Sequence, residues 1–245
     1  MCGRYATTQT SATLHQAFEI DLANSFVELE ADYNMAPTKL APVVIGRRDD
    51  TSTSTSTEAP RRELLTARWG LIPSWAKDPS IGSRMINARS ETVADKPAFK
   101  KAFAARRALV PADGYYEWYA AQQREGEKKP AKQPFYITPK DGSVLAMAGL
   151  YEFWKDRAAD EWVVSFTILT TTAEDDLGHV HERMPLFLEP QAFDEWLDPA
   201  PRSTDQLLGL LVPAAPGRLD AFPVSTAVNN VRNNGPELIV PIAAE

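Results

Sequence analysis

The chain opens Met1-Cys2-Gly3-Arg4, and Cys2 is its only cysteine. With Met1 removed, Cys2 presents a free α-amine and a thiol on adjacent carbons. Such a 1,2-aminothiol condenses with an aldehyde: the amine forms an imine, and the thiol closes a five-membered thiazolidine ring. An α-amine has an ordinary pKa of ~7.7–8.0, so a sizeable fraction is nucleophilic near neutrality. A thiol, near ~8.5, becomes competitive when positive charge lies close by. Gly3 lets another chain approach the backbone. Three further positions carry groups suited to proton transfer. Glu117 lies in the aromatic run Tyr115-Tyr116-Glu117-Trp118, where loss of water raises a carboxyl pKa. His179 and His181 carry imidazoles that titrate near neutrality.

The third feature is electrostatic. The chain as a whole carries −7, yet residues 61–110 hold 11 Lys/Arg against 4 Asp/Glu, a local +7. Those cations are interleaved with Trp69, Trp75, Pro73 and Asn87. A basic groove with stacking aromatics is what a single nucleic-acid strand requires. An acidic remainder disfavours indiscriminate binding and leaves one positive surface to steer the ligand.

Other chemistries are disfavoured. One cysteine excludes an internal disulfide framework and fits a reducing, cytoplasmic setting. Three histidines without CxxC or HExxH spacing predict no metal, and no cofactor is expected. No apolar run approaches the ~20 residues that span a membrane, and no signal-peptide pattern opens the chain.

These residues need elements to position them. Ala41–Gly46, Leu64–Leu71, Ala108–Pro111, Tyr115–Tyr119, Pro134–Thr138, Val144–Phe153 and Trp162–Thr171 read as strands, rich in β-branched or aromatic residues and bounded by turn formers. Asp141-Gly142 predicts a hairpin turn between two of them. Ser11–Phe18, Pro97–Arg107, Pro190–Leu197 and Thr204–Leu211 read as short helices, and Pro236–Pro241 as a last edge strand. Many strands with few dispersed helices predict an α+β fold around a mixed, barrel-like sheet. The alternating Ser/Thr run at 51–58 reads as a surface loop within one domain spanning 1–245.

Several short segments are too polar for simple core strands: Met1–Tyr5, Tyr33–Thr38, Arg68–Trp75, Ile86–Thr92, Pro111–Trp118 and Gly178–Pro185. In this order, with Val224-Ser225-Thr226 and Val228-Asn229-Asn230 near the end, they resemble the SOS-response-associated peptidase (SRAP) family of abasic-site processing proteins. The resemblance covers essentially the whole chain; the Ser/Thr insertion at 51–57 departs from it. It implies covalent capture of abasic sites in single-stranded DNA, or at a junction of single strand and duplex, through Cys2. It also implies a single α+β domain with a barrel-like core and a positive DNA groove. A monomer in the cytoplasm, associated with the nucleoid on damage, is expected.

A ring-opened abasic sugar carries the aldehyde an aminothiol prefers, and condensation needs an acid/base beside Cys2. Glu117 is the leading candidate. The family match at His181-Glu182-Arg183-Met184-Pro185 places the functional histidine at 181 and leaves His179 a bystander. The family pattern assigns Asn87 and Arg89 to the DNA site, Asn87 to hydrogen-bond the sugar or orient Cys2 and Arg89 to grip phosphate. Arg4, Arg68 and Arg183 are further phosphate candidates. Pro37 and Trp69 are candidates to cap exposed bases or wedge the duplex, although Trp69 fits a core position equally well. β-Elimination from the imine would add a lyase activity, and removal of Met1 is the one proteolysis expected, self-catalysed or not. The alternatives are an N-terminal-nucleophile glutamine amidotransferase, a cysteine peptidase using Cys2 and His181, and a non-covalent single-strand binder.

Overall fold

A computed structural model describes residues 2–20, 28–48, 59–119, 132–173, 182–213 and 217–242. His179, His181 and the Ser/Thr run at 51–58 lie outside the described residues. Five strands close on themselves. β3 (Leu40–Arg47) pairs along its whole length with β4 (Arg61–Trp69), antiparallel. β4 joins β10 (Glu161–Thr172) in parallel, with Ser165 opposite Arg68 and Phe166 opposite Trp69. β10 pairs with β9 (Leu145–Asp156), β9 with β6 (Arg107–Ala112), and β6 returns to β3.

Alternation along each strand divides its apolar residues between the two sides of this barrel. Val43, Ile45, Ala67, Trp69, Val110, Met147, Phe166 and Ile168 belong to the inner core. Val44, Leu64, Leu109, Ala148, Leu150 and Leu169 face outward into a second core. There they meet the short helices α1 (Ser11–Ala17), α2 (Lys100–Ala105), α3 (Phe193–Leu197) and α4 (Thr204–Gly209). The middle of β3 and the first half of β9 read as continuous apolar runs because both faces are covered.

A second, antiparallel sheet runs in the order β12 (Leu219–Pro223), β8 (Gln133–Pro139), β7 (Gly114–Tyr119), β1 (Tyr5–Thr7), β2 (Asp32–Met35). Its inner face contributes Tyr5, Met35, Tyr115 and Ile137 to the barrel's core, so sheet and barrel share one interior. The fold is α+β with a barrel-like β core, as the sequence predicts.

All seven strands expected from the sequence are present. Three expectations are corrected. Asp141-Gly142 does turn, with Gly142 at φ +69°, but it joins no hairpin. β8 pairs with β7 and β12, whereas β9 belongs to the barrel, so the turn crosses from one sheet to the other. Pro236–Ile239 is a 3-10 turn instead of a strand; proline at its first position favours a helical start, and Leu238 is drawn into a third small core. Its one ladder contact is an isolated bridge from Val224 to Pro241. The helices predicted to begin at Pro97 and Pro190 open as turns, regular helix starting only at Lys100 and Phe193.

Two details position the site. β5 (Asn87–Arg89) adds to β10 in parallel just beyond β4, with Asn87 opposite Ile168 and Arg89 opposite Thr170. Residues 70–86 leave β4 and come back to β5 as a loop whose base is pinched where Gly70 meets Gly82. A Cβ on Gly70, which sits at φ +115°, would lie 2.5 Å from the Gly82 carbonyl oxygen, and one on Gly82 would lie 2.6 Å from that of Gly70. Only glycine permits that approach on either side.

Candidate functional site

Cys2 lies where the second sheet meets the barrel. β1 and β7 run antiparallel with Tyr5 opposite Tyr115, and the Tyr116 amide donates to the Arg4 carbonyl. Following β1 back toward Cys2 therefore follows β7 forward toward Glu117. Period-two alternation puts Glu117 on the same inner face as Tyr115. From the barrel side, Asn87 Nδ2 donates to the Cys2 carbonyl at 2.8 Å. Three segments far apart in sequence thus converge on one residue. Cys2 is 0% exposed.

Burial dominates the electrostatics. It pushes the Cys2 thiol well above its ordinary range, and the nearby Glu117 charge pushes it further. Burial also raises the Glu117 carboxyl to about 7, with the Lys132 ammonium pulling the other way. Glu117 is 4% exposed. A carboxyl with that pKa exchanges protons near neutrality, as a general acid/base must. Asn87 Oδ1 is buried and has no hydrogen-bond partner among the described residues, so it remains an available acceptor.

The four arginines differ in their commitments. Arg89 is exposed, on the same strand face as Asn87 two residues earlier. Arg4 Nη1 donates to Asn34 Oδ1 at 2.6 Å and to the Val228 carbonyl at 2.9 Å, and its guanidinium lies 5.7 Å from the Trp118 ring centre. Arg183 forks onto Glu91 at 2.9 and 3.0 Å and also donates to the Thr170 carbonyl. Arg68 is half-buried in β4. Arg89 is thus the most open of the four, while Arg4 and Arg183 are held by the protein itself.

Trp69 is corrected as a base-stacking candidate. Its side chain is 0% exposed, packs edge-on against Tyr5 at 5.0 Å and stacks on Phe166 at 6.3 Å. Its Nε1 donates to the Ile86 carbonyl at 2.9 Å. Alternation along β4 points Ala67 and Trp69 into the barrel, so Trp69 braces β1, β4 and β10 from within. The exposed tryptophan of the basic block is Trp75, 56% exposed on the 70–86 loop. Pro37 is half-buried on the turn that follows β2, where the Thr38 amide donates to the Trp69 carbonyl.

Sequence reasoning missed Asn34. This fully buried amide accepts from Arg4 and donates to the carbonyls of Val228, Asn230 and Asn233. It thereby binds the residues just after Cys2 to the C-terminal segment. The available signal was a polar residue inside the apolar stretch Tyr33-Asn34-Met35-Ala36. Among the described residues, no three His, Cys, Asp or Glu side chains converge to hold a metal ion. None of the described helices is long and apolar enough to cross a membrane.

Comparison with known proteins matches residues 1–231 to the SOS response associated peptidase (SRAP) family. The chain is 35% identical over 239 residues to the abasic site processing protein YoqW of Bacillus subtilis, covering 98% of this chain and 99% of that one. It is 34% identical over 274 residues to the abasic site processing protein HMCES of Gallus gallus, covering 99% of this chain and 78% of that one. A solved structure from Bacteroides thetaiotaomicron superimposes with a TM-score of 0.78 at 24% identity, covering 99% of this chain and 100% of that one, and shares the fold. A phage-related protein from Bordetella bronchiseptica, 30% identical, superimposes with a TM-score of 0.66, covering 91% of this chain and 94% of that one. The chain belongs to the SOS response associated peptidase family.

Proposed function

We propose that this protein captures abasic sites in single-stranded DNA, or where single strand meets duplex, as a covalent adduct through Cys2. The observation that carries this reading is the convergence of Asn87 and Glu117 on Cys2, with the Glu117 carboxyl raised to about 7. The names of the relatives, abasic site processing proteins, point to the same substrate.

Removal of Met1 frees the Cys2 α-amine, whether self-catalysed or performed by another enzyme. The amine adds to the aldehyde carbon of the ring-opened sugar and gives a carbinolamine. Glu117 accepts a proton from the attacking nitrogen and returns one to the departing hydroxyl, which leaves as water. The thiol sulfur then bonds to the imine carbon. The C=N π pair moves to nitrogen, which takes up the proton the thiol releases. The net reaction joins protein to DNA with loss of one water. Asn87 holds the Cys2 backbone and offers Oδ1 to the sugar. His181 serves ring opening, or reversal of the adduct. Arg89 grips phosphate, with Arg4, Arg68 and Arg183 behind it, and Trp75 with Pro37 meets unstacked bases. β-Elimination from the imine is the associated lyase route. A monomer acting in the cytoplasm, at the nucleoid after damage, fits this role.

The test is incubation of purified protein with an abasic single-stranded oligonucleotide, followed by a denaturing gel and intact-mass analysis. A shifted band is expected, in which the protein lacks Met1 and gains the DNA mass minus one water. Absence of any denaturant-stable band would leave non-covalent binding and overturn the proposal. Release of ammonia from glutamine would reassign Cys2 to amide hydrolysis.

A further inference from the structure

The buried hydroxyl of Tyr5 is the least explained polar group near Cys2. Tyr5 is 0% exposed, and its Oη has no hydrogen-bond partner among the described residues. A buried phenol normally finds a partner, because an unmet hydroxyl destabilises the fold. Phenylalanine would fill the same apolar space without that cost. The side chain stands on the inner face of β1, three residues from Cys2 and opposite Tyr115, which shares its face with Glu117. Trp69 fixes the ring from the side at 5.0 Å, and Trp69 is itself tied through Ile86 to the strand whose Asn87 holds Cys2.

We infer that Tyr5 Oη is a hydrogen-bond donor reserved for the Cys2 sulfur as it becomes a thiolate. This deepens the capture reading, since ring closure requires that thiolate. Burial and the Glu117 carboxylate both oppose its formation, so a neutral donor is the group the site needs. Conversely, burial and then the Cys2 charge raise the Tyr5 phenol, which keeps its own proton and acts only as a donor. The proton released by sulfur passes by way of Glu117 to the imine nitrogen, as the ring closure requires. As the C–S bond forms, the negative charge leaves sulfur and the Tyr5 hydrogen bond weakens.

Because Cys2 is the only cysteine, alkylation by iodoacetamide reports this one thiol. Its rate is to be followed against pH in Met1-processed protein, without DNA, for wild type and Tyr5→Phe. The midpoint of the profile should move to higher pH by about one unit in Tyr5→Phe, with alkylation about tenfold slower below it. The same variant should melt about 2–4 °C higher, since an unmet buried hydroxyl has been removed. A fluorinated tyrosine at this position, a stronger donor, should move the midpoint to lower pH. Superimposable wild-type and Tyr5→Phe profiles would overturn the inference, whatever happens with DNA. A shifted profile in a protein that never crosslinks abasic DNA would uphold the donor and refute the capture reading.

Discussion

The barrel and the seam beside it are built to opposite rules. Inside the barrel, Val43, Ile45, Val110, Met147, Phe166 and Ile168 form an apolar core in which the indole N–H of Trp69 has its partner. At the seam, Cys2, Tyr5 and Glu117 are buried beside half-buried Asn87, and thiol, phenol and carboxyl are all pushed toward their neutral forms. The barrel has the composition of a region selected for stability, whereas the seam holds groups that burial makes costly to ionise. Tyr5 Oη and Asn87 Oδ1, buried without a partner among the described residues of an otherwise well-packed fold, make the seam the candidate place for chemistry.

The largest expected effect tests the seam alone. Cys2→Ala should abolish the denaturant-stable adduct while leaving non-covalent DNA affinity, read by fluorescence anisotropy, within about twofold of wild type. Retention of the adduct would remove Cys2 from the mechanism and with it the contrast. Glu117→Gln should slow capture about 10²–10⁴-fold with little loss of binding. As a general base, Glu117 is active when ionised, so the wild-type rate should rise as pH passes through about 7, and that inflection should vanish in the variant. Stability should behave oppositely. A carboxyl whose folded pKa is raised above its unfolded value binds more protons in the fold, so stability falls between about pH 4.5 and 7 and stays lowered above it. Melting curves of Glu117→Gln should lack that decline.

The two tryptophans of the basic block sharpen the comparison from the other side. Trp69→Ala should cost about 3–5 kcal/mol in denaturant unfolding, as the barrel's internal brace is lost. Trp75→Ala should change stability by no more than about 0.5 kcal/mol, yet weaken binding to single-stranded DNA by about 1–3 kcal/mol. Equal destabilisation by both would erase the distinction between core and surface. The smallest effect concerns Arg89→Ala, which should weaken binding and reduce the slope of log affinity against log salt by about one. A slope unchanged in titrations at several salt concentrations would show that Arg89 contacts no phosphate.

The sequence was most informative where one residue's neighbours impose its environment. β3 through Ala41–Gly46 and β9 through Leu145–Tyr151 announce themselves because both faces are covered, so the run is apolar. Glu117 was legible for a related reason: flanking Tyr115, Tyr116 and Trp118 made a desolvated carboxyl predictable. Composition failed where alternation decided the outcome. Trp69 and Trp75 sit in the same basic block, and only the end of β4 at Trp69 separates an inward ring from one on an exposed loop. β1, β5 and β11 (Arg183–Pro185) have three residues each, too short for a periodic signal, and exist because β7 and β10 offer them a ladder. Tyr5 carries no local mark, and Asn34 only that of a polar residue in an apolar stretch; their importance lies in partners, or in the lack of one, that only tertiary structure supplies.

β10 is a splice. Its first two-thirds, up to Ile168, pair with β9 in the barrel wall, and its last third carries β5 on one side and β11 on the other. The barrel meets that splice at a short joint, where β4 reaches β10 through Ser165 and Phe166 only. Opening there would loosen the end of β4 and the start of the 70–86 loop, while β5 stays laddered on β10 and keeps Asn87 at the Cys2 carbonyl. Order at Cys2 is therefore inherited from β10 and outlasts the joint: amide protons that tie 86–90 to β10 should exchange no faster than those of the β4–β10 joint.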